Sequence, residues 1–311
     1  MNAIDKTAPA AMPDMPDVSA VIAELWVYPV KSCAGVSVAG ATLTDTGLEL
    51  DRAWMVVDAR GDFLTQRELP RMALIQPKLK TYEMVLKAPG MLALHVALDA
   101  VESAVRVRVW DDEVAAFDMG AVAAQWFSDF LGTPARLVRF DPDERRVSDL
   151  QWTGGVQAFN QFSDGFAALV LSQASLDHFN QKLQTSGSPS ASMARFRPNI
   201  VLGSAPGGHA LLPHDEDRLA TLDIITDAGL AQLRLVKPCP RCPMPNVDPA
   251  TGLSSPEVGD MLQSFRADVR LNGAVTFGMN AIVVGGDGDN ADILEPVLRV
   301  GQRVSGHYRF G

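Results

Sequence analysis

The chain has 311 residues, 47% hydrophobic and 21% charged, with a formal net charge of −10. That length fits one large domain or two ordinary ones, and the composition suits a globular protein with a sizeable core. The acidic balance argues against general binding to nucleic acid or anionic membranes, and three cysteines suit a reducing compartment better than a disulfide scaffold.

Residues 1–20 are rich in Ala, Pro, Met and Asp and lack a charged segment followed by an apolar one, so they read as a loose tail and not a signal peptide. No later run reaches the ~18 apolar residues of a membrane span. The expectation is a cytoplasmic protein without membrane contact.

From residue 22 to 117 the pattern is one of short strands, at 24–28, 41–43, 53–58, 74–79, 84–87, 92–96, 105–109 and 113–117. Turn signals at 58–62 and 88–90 punctuate them. Such spacing favours a barrel or sandwich. No glycine-rich nucleotide loop follows any strand, which disfavours dinucleotide and triphosphate sites.

Val122, Trp126 and Phe130 then recur at helical spacing and predict a helix over 121–131 with an apolar core-facing stripe. A strand at 137–140 leads into a polar loop at 141–155, where Asp143-Glu144-Arg145-Arg146 reads as solvated surface that can also rim an entrance. A strand at 167–171 follows, and Ser172 caps a helix over 173–183. The Ser/Gly-rich residues 185–192 form a loop. Strands at 199–202, 218–225, 230–236, 281–284 and 302–308 and a helix over 256–266 complete the chain. The class is α+β, predominantly β.

The segment from Lys237 to Gly252 carries the chemistry. Cys239 and Cys242 have C-x-x-C spacing, with prolines at 238, 240, 243, 245 and 249. Proline fixes φ and removes a donor, so the segment reads as a stiff loop and not a ladder strand. The spacing allows a zinc half-site, a redox dithiol, one working thiol beside a bystander, or two inert buried cysteines. Zinc lacks partners, since the third cysteine is Cys33 and the histidines are scattered. A thioredoxin-like dithiol should open a helix, which the prolines oppose. Arg241 puts a cation between the thiols, and Asp248 follows within the same loop.

Three separated motifs then stand in one order: Leu25-Trp26-Val27-Tyr28-Pro29-Val30-Lys31-Ser32-Cys33, Arg195-Phe196-Arg197-Pro198-Asn199-Ile200-Val201, and the Cys-Pro-Arg-Cys loop. With Leu50-Asp51-Arg52-Ala53-Trp54 and Val247-Asp248-Pro249-Ala250-Thr251-Gly252, they resemble the MOSC family with its N-terminal β-barrel domain. Amidoxime-reducing components and bacterial enzymes that detoxify N-hydroxylated bases are similar.

The resemblance implies an N-terminal MOSC-associated β-barrel over 21–120 and a MOSC β-barrel with peripheral helices over 121–311. It implies a molybdenum-molybdopterin cofactor whose metal is ligated by Cys242. Lys31, Ser32, Arg52, Ser163, Arg197, Asn199 and Arg241 would bind the cofactor, and Asp248 would orient substrate or water. Cys239 and Cys33 would be bystanders. The implied reaction is reduction of small N-hydroxylated or N-oxygenated compounds by oxygen-atom transfer. With no four-cysteine cluster in the chain, electrons would come from a separate flavin reductase, ferredoxin or b-type cytochrome. The other function the family offers is a carrier of cofactor or sulfur. Pro245-Asn246 stands where amidoxime-reducing relatives carry Thr-Thr, which puts substrate preference in question.

Overall fold

The computed structural model describes residues 16–207, 210–284 and 295–309, so the first 15 residues of the expected tail lie outside the described part. Val18, Ala20, Ile22, Leu25 and Val27 all point into the core from the strand Val18–Val27. Alternation alone would turn Leu25 outward. A register shift between Ile22 and Glu24 adds the extra residue that turns it back. The strand thus starts six residues earlier than the hydropathy suggested, and Val18–Ala20 are ordered ladder, not tail.

This strand closes a seven-stranded barrel. Its circuit runs Ala168–Ser172, Ile200–Ser204, Val18–Val27, Arg303–Tyr308, Leu219–Thr226, Gly229–Pro240 and Ala274–Val284, and the last pairs back to the first. One neighbouring pair is parallel, Ala168–Ser172 with Ile200–Ser204. A parallel pair needs a crossover, and the helix Gln173–Thr185 supplies it, capped by the Ser172 hydroxyl, which accepts from Ser175 N at 3.1 Å.

The second unit is built from the sheet Trp54–Val57, Arg136–Phe140, Asp112–Asp118 and Ser103–Val109, a small sheet over 76–97, and the helix Gly120–Leu131. Trp126, Phe127, Phe130 and Leu131 pack from that helix onto Trp54, Met84, Leu86 and Leu137. Val122 is 77% exposed, so the buried face runs through Ala123 and Phe127 instead of the expected Val122. A divide at 120/121 would cut this helix and the 136–140 strand away from the core they complete; the first unit continues to Phe140.

The proline-rich segment is also more ordered than expected. The strand Gly229–Pro240 keeps its pairing to 274–284 through Lys237, Pro238 and Pro240, with register shifts at 235/237 and 238/240 that accommodate residues unable to donate.

Candidate active site

Between the two units lies a cavity of about 780 Å³, in the range of small-molecule sites. Both thiols of the 239–242 segment line it, where the strand leaves the ladder. Eight lysines and arginines line it against four aspartates, an inversion of the chain's net charge.

Lys31 follows the end of the Val18–Val27 strand and is buried. Its Nζ donates to the Phe162 carbonyl at 2.7 Å and to Asp164 Oδ1 at 2.5 Å. Burial pulls the Lys31 pKa down, and Asp164 works against that. Ser32 beside it has φ +66, and its buried hydroxyl has no partner among the described residues. A non-glycine residue in the left-handed region is uncommon, and Arg52 and Arg197 adopt it too, at φ +51 and +58.

The two arginines lie over one ring. Their guanidinium carbons lie 4.4 and 4.3 Å from the Tyr28 centroid. Arg52 donates to Asp51, to Asn199 Oδ1 at 3.0 Å and to the Arg197 carbonyl at 3.2 Å. Arg197 donates to the Cys33 carbonyl at 2.6 Å and pairs with no carboxylate among the described residues, and burial followed by Arg52 pulls its pKa down to about 10. Asp51 answers the Arg52 charge, and Arg197 is left the less compensated of the two.

Other arginines are already committed. Arg241 gives Nε and Nη2 to the Phe277 carbonyl and Nη1 to the Phe196 carbonyl, so three of its five N–H groups tie the cysteine loop to its neighbours. Arg146, in a run expected to be solvated, is buried and donates to Asp112, Asn160 and the carbonyls of Gln161 and Ser163. Burial raises the Cys239 pKa, with Arg241 opposing. Cys33 is fully buried and pushed up to about 12, which keeps it an inert thiol.

Residues 19–134 match the MOSC N-terminal beta barrel domain and residues 158–305 match the MOSC domain. The chain belongs to the MOSC family. Mouse mitochondrial amidoxime-reducing component 1 is 36% identical over 255 residues, 79% of this chain and 71% of that protein. The human protein of the same name is 34% identical over 79% of this chain and 72% of its own length. Bovine molybdenum cofactor sulfurase is 30% identical over 83% of this chain but only 30% of that protein.

Of the residues expected to form the MOSC site, the cavity brings together Lys31, Ser32, Arg52, Ser163, Arg197, Asn199, Arg241 and Cys242. Asn199 commits its side-chain oxygen to Arg52 and Leu169 N and one of its two amide N–H groups to the Trp26 carbonyl. Ser163 likewise spends its hydroxyl on Asn160 and the Phe166 carbonyl, so these two shape the wall. Asp248 is not on the cavity. Its carboxylate accepts from Ala250 N and Thr251 N and pairs with Arg195 at 2.6 Å. Burial opposes its charge, but the two N–H groups and Arg195 outweigh that and hold its pKa low. In this arrangement the Asp248 carboxylate is engaged by its own turn and by Arg195.

Asn246, in the Pro-Asn pair, accepts from Gly259 N at 2.8 Å and so anchors the helix Glu257–Phe265, while Pro245 lines the cavity. The sequence pointed to neither Arg67 nor Trp110, and it placed Arg146 only in a solvated run that can rim an entrance. Nothing local distinguishes them, because the first two meet only through the fold of the first unit.

Proposed function

We propose that this chain is a molybdenum-cofactor-dependent reductase of small N-hydroxylated or N-oxygenated compounds, acting in the cytoplasm with electrons from a separate protein: a flavin reductase, a ferredoxin or a b-type cytochrome. The overall change is R–NHOH plus two electrons and two protons to R–NH2 and water. The observation that carries the reading is a cavity lined by more cations than carboxylates, with Arg197 paired to no carboxylate among the described residues, a serine hydroxyl without a partner there and a thiol in no disulfide, in a chain related to amidoxime-reducing components.

The residues fit the cofactor. The Ser32 hydroxyl and the cations Arg52, Arg197 and Lys31 suit a terminal phosphate, which needs several fixed donors. Cys242 offers a soft thiolate to the metal, and Arg241 holds its loop. No group of three or more His, Cys, Asp or Glu side chains able to hold a metal occurs among the described residues, which sets the zinc alternative aside there. When bound, the cofactor supplies two-electron oxygen-atom transfer; the protein supplies access, orientation and charge.

The test is metal analysis with pterin fluorescence on protein from cells that make the cofactor, for wild type, Cys242→Ser and Cys239→Ser. Cys242→Ser is expected to lose molybdenum and turnover, and Cys239→Ser to keep most of both. Equal, complete loss in the two variants sinks the single-ligand reading. The relatedness to molybdenum cofactor sulfurase keeps a carrier role as the second reading. A carrier would hold cofactor yet reduce no hydroxylamine with any donor.

A further inference from the structure

On the more exposed side of the cavity, Arg67 forms an anion fork distinct from the cations around Tyr28. Its Nε donates to Thr65 Oγ1 at 3.2 Å, and its guanidinium carbon sits 4.7 Å from the Trp110 ring centroid. Neither terminal amino group has a hydrogen-bond acceptor among the described residues, and no carboxylate pairs with it. A guanidinium fixed by stacking and by one bond through Nε presents its remaining edge for two parallel bonds to an oxyanion.

The platform is held in a costly way. Val109 pairs with Asp112, so Trp110 and Asp111 form a two-residue hairpin turn. Trp110 takes φ +55 at the first turn position, where glycine or asparagine is usual. The ring is pinned by Nε1 donating to Asp164 Oδ1 at 3.1 Å and by Phe63, edge-on with centroids 5.1 Å apart. A bulky residue kept in a glycine conformation and tied at two further points points to a role for the ring. It also leaves a flat apolar surface beside the fork.

We propose that Arg67, braced on Trp110, is a specificity anchor that selects aromatic substrates bearing a carboxylate, with the Phe63–Trp110 wall against the ring. This rests on the reductase reading for the substrate's reactive group but not for binding itself. Arg67 touches substrate, and Trp110 is a positioning residue.

The probes are benzamidoxime, 4-carboxybenzamidoxime and the non-reducible 4-carboxybenzamide, used with the cofactor-loaded full chain. Wild type is expected to prefer the carboxylated substrate through KM. Arg67→Gln is expected to raise that KM, and the calorimetric Kd for 4-carboxybenzamide, about tenfold or more, with kcat and the benzamidoxime KM within about twofold. Molybdenum content stays unchanged. Trp110→Gly relieves the turn, so it should keep or raise the melting temperature while weakening carboxylate binding. Equal effects of Arg67→Gln on both substrates, loss of molybdenum, or the same loss from Lys237→Gln would overturn the anchor. If 4-carboxybenzamide binds in an Arg67-dependent way and nothing is reduced, the anchor stands and the reductase reading falls. If wild type does not bind it, the anchor falls alone.

Discussion

The cavity and the polar cluster beside the 173–185 helix are both buried and charged, yet they are built on opposite terms. In the cluster, Ser172 donates to Glu216 at 2.8 Å, Ser175 accepts from His214 N at 2.8 Å, His178 and His214 share a bond at 3.0 Å, and Arg266 pairs with Asp217 at 2.7 Å. Polar side chains there are turned on one another, and the few atoms without partners, on His214, Asp215 and Asp217, do not line the cavity. At the cavity, the buried Ser32 hydroxyl and the terminal amino groups of Arg67 have no hydrogen-bond partner among the described residues. Burial and charge are common to both. Unspent donors at a cavity mark the place for a ligand, and spent ones mark architecture.

The comparison breaks most visibly at Arg266. Removing it takes away the cation that pairs with Asp217 between the 3-10 turn Asp215–Asp217 and the Ala274–Val284 strand, leaving the weaker pull of Arg270 on that carboxylate. Arg266→Ala should cost about 2 kcal/mol of folding stability, the usual scale for hydrogen bonds to a charged group. The folded fraction should still carry molybdenum at the wild-type ratio. Denaturant unfolding and metal analysis on the same sample check this; a variant equally stable but metal-free would put the cluster in the site.

A smaller effect comes from pH. Burial, then Arg266, His178 and Lys182, pull the His214 pKa down to about 3, and His178 is lowered in the same sense. The unfolded chain therefore binds a proton that the fold refuses, between the ordinary histidine value of about 6.5 and about 3. Stability from this residue is full at neutral pH and is lost as pH falls through that window, by at most about 1.4 kcal/mol per pH unit. Glu216 and Asp217 oppose it, since burial raises both and their contribution weakens as pH rises. The difference between wild type and His214→Gln isolates the histidine. Melting temperatures from pH 7 to 4 should fall more steeply in wild type, and parallel profiles would show that the imidazole is not held neutral.

Much of the fold was legible because hydrophobic alternation is local. The strands over 105–109, 113–117 and 218–225 lie within the observed ones to within a residue, and the Ser172 cap was visible from its own neighbours. What failed was either a bulge or a partner. The start at Val18 depends on pairing with Ser204 and the 303–308 strand, and the ladder through Pro238 depends on register shifts, neither of which a hydropathy pattern records. Motifs pointed to Lys31, Arg52 and Arg197, which line the cavity, and to Asp248, which does not, while Arg67 was passed over for a related reason. A carboxylate already spent on Arg195 and a guanidinium with an edge to spare look alike in a sequence.

Two serines sharpen the comparison at the level of single hydroxyls. Both are buried, at 1% and 0% exposure for Ser32 and Ser172, so burial predicts the same cost for replacing either by alanine. Their partners predict different costs. Ser172 caps a helix and donates to a buried carboxylate, so Ser172→Ala should lose about 1–2 kcal/mol and leave cofactor content unchanged. Ser32 gives its hydroxyl to no described residue, and alanine tolerates its positive φ no worse, so Ser32→Ala should stay within about 0.5 kcal/mol of wild type. It should nonetheless retain less molybdenum after dialysis. Paired urea titrations and metal counts decide the matter: a destabilised Ser32→Ala that keeps its metal would make that hydroxyl architectural, and with it the rule that separates the two regions.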